Sequence, residues 1–170
     1  MRTFAALVMG LLAAAASTGI AQSRIPDAHS LLDNRVQTET SVRTDSAVPG
    51  GTVVLNLEIR PAEGIRVFAP GAKSFTPAVV VFNVLKGIKP GKPSYDIPEY
   101  EKNPGNDKRV PLYSRSFSIR HTVTIDKNVK PGTVIEVLGA LTYQTCDHRS
   151  VFPVRSTQLR WRIQVDEPPR

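Results

Sequence analysis

The chain has 170 residues, a formal net charge of +7 at pH 7 and one cysteine. Once an export signal is set aside, this length fits one domain with its own core and excludes a second domain of ordinary size. The basic residues are scattered and form no platform with aromatic residues, which favours a solvated surface over nucleic-acid binding. One cysteine excludes an internal disulfide, so stability must come from the core.

The first 21 residues have the pattern of a signal peptide. Arg2 supplies the charged start, an apolar run follows from Phe4 to Ala16, and Ala21 precedes the predicted cleavage site. The apolar run is too short for a membrane span. We therefore expect a periplasmic or secreted chain without stable membrane insertion after cleavage, with a retained N-terminal anchor as the alternative. Residues 22–35 are predicted to be a flexible lead-in.

Short strands are predicted along the first half of the remaining sequence. Val36 to Val42 has a modest apolar face typical of an edge strand, and Val53 to Ile59 alternates strongly. Ile65 to Gly71 reads as a short strand that ends in a Pro-Gly turn. The valine-rich run from Pro77 to Leu85 predicts a strand buried on both sides or central in a sandwich. Four prolines and several glycines make Gly87 to Val110 an expected irregular segment.

The second half continues the same pattern. Val110 to Tyr113 is a short predicted strand, Phe117 to Ile125 and Val134 to Tyr143 alternate and are expected to be neighbours, and Thr157 to Val165 is the last strand. No helix is predicted after the signal. Seven to nine strands with Pro/Gly turns predict an all-β fold, an antiparallel immunoglobulin-like β-sandwich over residues 36–165, followed by a tail at 166–170.

One strand leads into a segment that resembles a known active site. The run Leu141-Thr142-Tyr143-Gln144-Thr145-Cys146, followed by Phe152-Pro153, resembles the active-site segment of the N-terminal periplasmic domain of the thiol:disulfide interchange protein DsbD family. The run Arg66-Val67-Phe68-Ala69-Pro70-Gly71 is a second point of resemblance. The resemblance implies an immunoglobulin-like fold and a reversible disulfide whose second cysteine sits just before the aromatic-Pro pair. In this chain that place is Val151.

The resemblance also implies partners. The pair of cysteines in that family accepts electrons from a membrane protein and passes them to periplasmic thioredoxin-like proteins. We therefore expect a thiol-linked or degenerate partner in extracytoplasmic thiol-disulfide exchange or cytochrome c maturation, which binds a thioredoxin-like or membrane redox protein. Cys146 is the candidate thiol, and the residues expected to bind or shape its pocket are Phe68, Tyr143, Asp147, His148, Val151 and Phe152. A loop caps the pair through an aromatic residue in the family; residues 101–108 hold none here, and Tyr95 and Tyr100 are the nearest substitutes.

The setting of Cys146 leaves two interpretations open. It follows a strand and opens a polar turn, a location from which a side chain reaches solvent. There His148 and Arg149 would lower the pKa of the thiol, whereas Asp147 would oppose them. The alternative is a partly buried cysteine kept as a small apolar residue. In that case the chain is a non-catalytic immunoglobulin-like binding module that contacts a protein through residues 87–110.

Other chemistry has little support in the sequence. Cys146, Asp147 and His148, with His121, are ligand types for copper or zinc but fall short of a four-ligand site, so no metal and no cofactor is predicted. His121 lies on the apolar face of its strand and is expected to be a core or rim histidine. The sequence has no Gly-x-Ser-x-Gly elbow and no paired carboxylates beside a plausible cleft. Without a second redox cysteine, a complete enzyme is not expected.

Overall fold

The structure is a computed structural model that describes residues 35–44, 47–83, 85–102 and 108–168. The predicted signal peptide, the lead-in up to residue 34 and the last two residues of the tail lie outside the described residues. The described residues belong to one compact unit. Within them, no helix has the length and hydropathy needed to cross a bilayer.

The described residues form eleven strands, each paired antiparallel with its neighbours. In chain order they are β1 (Val36–Arg43), β2 (Thr52–Pro61), β3 (Arg66–Phe68), β4 (Val79–Phe82), β5 (Ile88–Tyr95), β6 (Glu99–Lys102), β7 (Arg109–Tyr113), β8 (Phe117–Ile125), β9 (Val134–Tyr143), β10 (Thr145–Cys146) and β11 (Arg155–Gln164).

The strands build three sheets. Sheet A has the order β1-β2-β8-β5, sheet B the order β10-β3-β7-β6, and sheet C the order β11-β9-β4. Sheets A and C contribute their inward side chains to one main core, and the indole Nε1 of Trp161 donates to the carbonyl of Asn56 across it, at 3.0 Å. The expected all-β, antiparallel immunoglobulin-like sandwich is therefore confirmed.

Alternation of side chains explains how the core forms. In β9, and in β11 from Leu159 onward, every second residue is buried, because successive side chains of a strand point to opposite faces. Leu141 and Ile163 are fully or almost fully buried in this way. Burial of one such aliphatic side chain stabilises the fold by about 1.5–3 kcal/mol. The predicted inward face of the last strand, which includes Trp161, is confirmed.

The prediction that the strand at residues 77–85 is buried on both sides or central in the sandwich is wrong. The strand there is β4, an edge strand of sheet C that pairs with β9 alone. Val79 and Val81 lie on its outer face, and the side chain of Val81 is 57% exposed. A run of valines indicates a strand but does not indicate whether both of its faces are covered.

The expected irregular segment at residues 87–110 is largely ordered into strands. It contains β5, β6 and the first residues of β7. Pro90 and Pro93 are accommodated because β5 is the edge of sheet A and its register shifts between these two residues. A proline lacks the amide donor, and an edge strand or a bulge does not need it. The prediction that β8 and β9 are neighbours is also wrong, since β8 lies in sheet A and β9 in sheet C.

Candidate functional site around Cys146

Cys146 ends the two-residue strand β10 at one edge of sheet B. On one side it pairs with Arg66 of β3, and on the other it forms an isolated antiparallel bridge with Val151. Two short motifs of the sequence, Arg66–Phe68 and the segment around Cys146, thus meet in one sheet. The chain that follows the cysteine folds back as a hairpin over residues 147–152.

The bridge between Cys146 and Val151 belongs to a defined class of strand pair. The amide of Asp147 donates to the carbonyl of Ser150 at 2.9 Å, and the amide of Phe152 donates to the carbonyl of Thr145 at 2.8 Å. These bonds flank the pair and leave Cys146 and Val151 without a backbone bond to each other. In such a pair the Cα atoms lie about 4.5 Å apart and both side chains stand on the same face.

The turn of the hairpin is held by the carboxylate of Asp147. Its Oδ1 atom accepts hydrogen bonds from the amides of Arg149 and Ser150, at 2.7 and 2.6 Å. These two bonds hold the pKa of Asp147 below its ordinary value. His148 and Arg149 are exposed at the tip of the turn. The carboxylate thus stabilises the turn, and neither His148 nor Arg149 is among the charges that act on the thiol.

The thiol of Cys146 does not reach solvent, contrary to the expectation from its place after a strand. Its relative exposure is 0%, and it belongs to a small apolar cluster that is separate from the main core. The buried members are Phe68, Ala72, Leu112 and Cys146, with Phe75 and Val110 packed against them. The ring of Phe75 stacks on that of Phe68 with 4.1 Å between centroids. The loop after β3 and strand β7 therefore supply the cover.

The electrostatics follow from this burial. Burial raises the pKa of Cys146 from 9.0 to about 11, because the thiolate loses its hydration in apolar surroundings. The guanidinium of Arg66 lowers this pKa, whereas the carboxylates of Glu101 and Asp147 raise it further. Arg66 is itself paired with Glu101. The net result is a thiol that stays protonated at neutral pH.

Gln144 ties the segments around the cysteine together, a role that sequence reasoning missed. Its Nε2 donates to the carbonyl of Phe152 at 2.9 Å, and its Oε1 accepts from the amide of Thr76 at 3.1 Å. Its own carbonyl accepts from the amide of Phe68 at 3.1 Å. One side chain and its backbone thus join the hairpin, β3 and the loop that carries Phe75.

The remaining predicted residues divide between this cluster and other places. Phe68 lies in the cluster of Cys146, whereas Tyr143 is buried in the main core. Phe152 is half-buried beneath the guanidinium of Arg35, at 3.9 Å from the ring centroid. Val151 is partly exposed, at 36%. These positions bring Phe68, Asp147, Val151 and Phe152 around the hairpin but not Tyr143.

The aromatic cover of the cluster comes from a residue other than those expected, whereas His121 is buried, as expected of a core or rim histidine. Tyr95 packs against the main core and Tyr100 is 60% exposed, so neither substitutes for the missing aromatic cap; Phe75, which sequence reasoning missed, lies against the cluster instead. His121 is buried in β8 with its ring edge against Phe82, away from sheet B. Among the described residues, no three His, Cys, Asp or Glu side chains cluster as metal ligands.

Comparison with known proteins gives likenesses of structure. The N-terminal domain of DsbD from Neisseria meningitidis, in its reduced form, is 19% identical with a TM-score of 0.44, over 83% of this chain and 95% of that one. The N-terminal periplasmic domain of ScsB from Proteus mirabilis is 14% identical with a TM-score of 0.50, over 79% of this chain and 48% of that one. The major pilin subunit BcpA of Bacillus cereus is 8% identical with a TM-score of 0.41, over 76% of this chain and 40% of that one.

No protein-family model and no curated protein sequence matches the chain. At these identities a structural likeness establishes the fold alone, and the ScsB domain, with its TM-score of 0.50, carries that conclusion. The resemblance seen in the sequence is thereby confirmed as a likeness of fold to N-terminal domains of this kind.

Proposed function

We propose that this chain is a degenerate partner in extracytoplasmic thiol-disulfide exchange. It keeps the hairpin that would carry a pair of redox cysteines, but the thiol of its one cysteine is buried. The observation that supports this most is the bridge between Cys146 and Val151. Its geometry is that of a cross-strand disulfide, since bridged cysteines have Cα atoms 4.4–6.8 Å apart, as this class of strand pair does at about 4.5 Å. One half of the pair is present, and the other is a valine.

The chemistry open to Cys146 is a half-reaction. Its thiolate, once formed by loss of the proton to water or a base, attacks one sulfur of a partner disulfide. A mixed disulfide forms and the second sulfur of the partner leaves as a thiolate. Release requires another thiolate to attack the mixed disulfide. Val151 has no sulfur, so that thiolate must come from outside this chain.

Burial makes even the first step slow in the free chain. With a pKa of about 11 instead of 9.0, the thiolate population at neutral pH falls about 100-fold relative to an unperturbed thiol. The apolar cover from Phe68, Phe75 and Leu112 obstructs the approach of a disulfide as well. Any partner of the proposed kind, thioredoxin-like or membrane-bound, would therefore bind the hairpin without spontaneous exchange.

The test is the reaction of Cys146 with a small aromatic disulfide, 5,5′-dithiobis(2-nitrobenzoic acid), in the folded and the urea-unfolded chain. We expect the folded chain to react at least about 100-fold more slowly. A reaction rate of the folded chain equal to or above that of the unfolded chain would contradict the proposal that the thiol of Cys146 is buried and unreactive. It would instead support a thiol-linked partner that is trapped through Cys146.

The second candidate is a non-catalytic immunoglobulin-like binding module with a structural cysteine, unconnected with redox proteins. It is favoured by the exposed strands of residues 87–110, because most side chains of β5 project into solvent. A thioredoxin-like protein with its second cysteine replaced by serine, a standard trap for mixed disulfides, separates the two. If the trap binds the chain, and if a change in the hairpin such as His148→Glu weakens this binding, the result supports the redox partner. If the trap does not bind, the result supports the binding module.

A further inference from the structure

The free side of β4 is an edge with backbone groups available for pairing. In sheet C, β4 pairs with β9 on one side and, among the described residues, with no strand on the other; only the amide of Ala78, just before β4, donates on that side, to the carbonyl of Phe68 at 2.9 Å. The amide of Asn83 donates to the carbonyl of Leu138 at 2.9 Å, which fixes the alternation of bonds along the pair. Val79 and Val81 therefore bond to β9, and the N–H and C=O groups of Val80 and Phe82 point to the free side.

This edge lacks the features that usually prevent strands from pairing with other chains. Edges are normally protected by prolines, charged side chains, bulges or a covering element. Strand β5 has two prolines, two lysines and a bulge, and β6 carries two glutamates and a lysine. Strand β11 is covered by β1, where the Thr40 hydroxyl donates to the carbonyl of Arg160 at 2.7 Å. Among the described edges, β4 alone has only apolar side chains, Val-Val-Val-Phe.

The outer face next to this edge is apolar as well. Val79 is 36% exposed, Val81 57% and Leu138, which lies on the neighbouring strand β9, 38%. These three side chains share the face of sheet C that points away from the core, since their inward neighbours are buried. A strand added beside β4 would place every second side chain over this apolar surface.

The charge of the surrounding surface indicates which kind of segment could pair with β4. Residues 64–95 contain no Asp or Glu but five basic residues, Arg66, Lys73, Lys86, Lys89 and Lys92. Because β1 packs against β11, the opposite edges of the two sheets, β5 and β4, are both on the other side of the sandwich, and Lys86, Lys89 and Lys92 belong to β5 or to the connection between these two strands. Lys89 has an acidic neighbour, Asp126, at 3.7 Å. A second copy of the chain would bring lysine against lysine, whereas an acidic segment would meet opposite charge.

We propose that the edge of β4 binds an extended, acidic segment of a partner protein by strand addition. The segment pairs its backbone with Val80 and Phe82, places apolar side chains on Val79 and Val81, and directs carboxylates toward Lys86 and Lys92. Backbone bonds supply affinity in this mode of recognition, and alternate side chains supply specificity. The surface is separate from the Cys146 hairpin and does not depend on the function proposed for it.

The test uses a synthetic peptide of alternating glutamate and valine with the purified chain. Amide hydrogen exchange, followed residue by residue by NMR, should slow at least about tenfold at Val80 and Phe82 when the peptide is saturating. Val79 and Val81 already bond to β9 and should change little. A peptide of alternating lysine and valine should not bind, and binding of the acidic peptide should weaken with salt.

Matched variants test the charge argument. Lys86→Glu with Lys92→Glu should weaken binding at least about tenfold. Arg43→Glu with Arg60→Glu changes the net charge equally on strands β1 and β2, on the side of sheet A away from β5, and should change binding less than about twofold. Cys146→Ser should bind as the unchanged chain does, so this result is independent of the redox proposal.

Three outcomes would overturn the proposal. The first is no binding, or binding that leaves the exchange of Val80 and Phe82 unchanged. The second is protection of these amides without peptide in a chain that sediments as a dimer, which would assign the edge to a second copy. The third is the same protection in a monomer, which would assign it to another segment of this chain.

Discussion

Cys146 and Val151 face each other across a two-stranded hairpin as a non-hydrogen-bonded pair, with both side chains on one face. The thiol is buried whereas the valine is partly exposed. The backbone of a cross-strand disulfide is therefore present with one sulfur atom. The missing second sulfur atom is therefore a matter of one side chain and not of the backbone.

Val151→Cys should form a disulfide with Cys146 on exposure to oxygen. The pair has the separation that a disulfide requires, and no backbone rearrangement is needed. Closing so short a loop should stabilise the oxidised form by up to about 2 kcal/mol relative to the reduced form. Thiol titration and urea unfolding with and without reductant measure the two effects.

Val154→Cys is the matched control for that experiment. Val154 follows the same hairpin and is 48% exposed, but it has no pairing with Cys146 in the structure. The folded variant is exposed to oxygen in the same way and is then unfolded for titration, and it should still have two titratable thiols. If Val151→Cys also stays reduced, the proposed disulfide geometry of the hairpin is wrong.

Phe75→Ala should expose the thiol of Cys146 to solvent. The ring of Phe75 stacks on Phe68 and packs against the cluster of Cys146, so its removal exposes one side of that cluster. The reaction of folded Cys146 with an aromatic disulfide should accelerate at least about tenfold, since water and reagent gain access to the sulfur. Phe82→Ala removes a ring of similar size from the main core and should leave that rate unchanged. Equal acceleration in both variants would indicate general loosening instead of a local cover.

The sequence predicted most of the fold because period-two alternation reports a one-sided strand directly. Strands β2, β8, β9 and β11 appear where alternation is strong, and their inward residues are buried. Residues 77–85 and 87–110 were predicted wrongly for a shared reason. Valine and proline content reflects local backbone preference, whereas exposure at an edge depends on which strand lies beside it. That neighbour is set by chain topology, which the local sequence does not encode.

The candidate site shows the same limit. The motif around Cys146 predicted its meeting with Phe68, but the cover came from Phe75, seven residues beyond Phe68 in a loop without alternation. Gln144 sits inside the recognised motif, yet its bonds to Thr76 and Phe152 join segments far apart in sequence. The burial of Cys146 depends on these long-range contacts, so its place at a strand end suggested the opposite.

Glu101→Gln and Arg66→Gln should shift the reactivity of Cys146 in opposite directions. The carboxylate of Glu101 raises the pKa of the thiol and the guanidinium of Arg66 lowers it. At fixed pH, below a pKa of about 11, Glu101→Gln should therefore increase the thiolate fraction and Arg66→Gln should decrease it. The pH dependence of alkylation in the Phe75→Ala background measures both. Parallel shifts would mean that packing, not charge, dominates at this ion pair.

His121 should make the chain less stable at pH 5 than at pH 7.5. Burial lowers its pKa below 6.5, the backbone of Gly91 opposes this weakly, and the ring meets the side chain of Phe82. As pH falls below 6.5, the unfolded chain binds a proton that the folded chain excludes, so the free energy of unfolding falls by up to about 1.4 kcal/mol per pH unit until the folded pKa is reached. Urea unfolding at both pH values measures this loss, and His121→Leu should reduce it.

His148→Gln, at an exposed site, should retain the loss. An unchanged loss in His121→Leu would contradict the assignment to His121. Asp147 does not account for a loss in this range, because its pKa is lowered and its contribution to stability is lost only at more acidic pH.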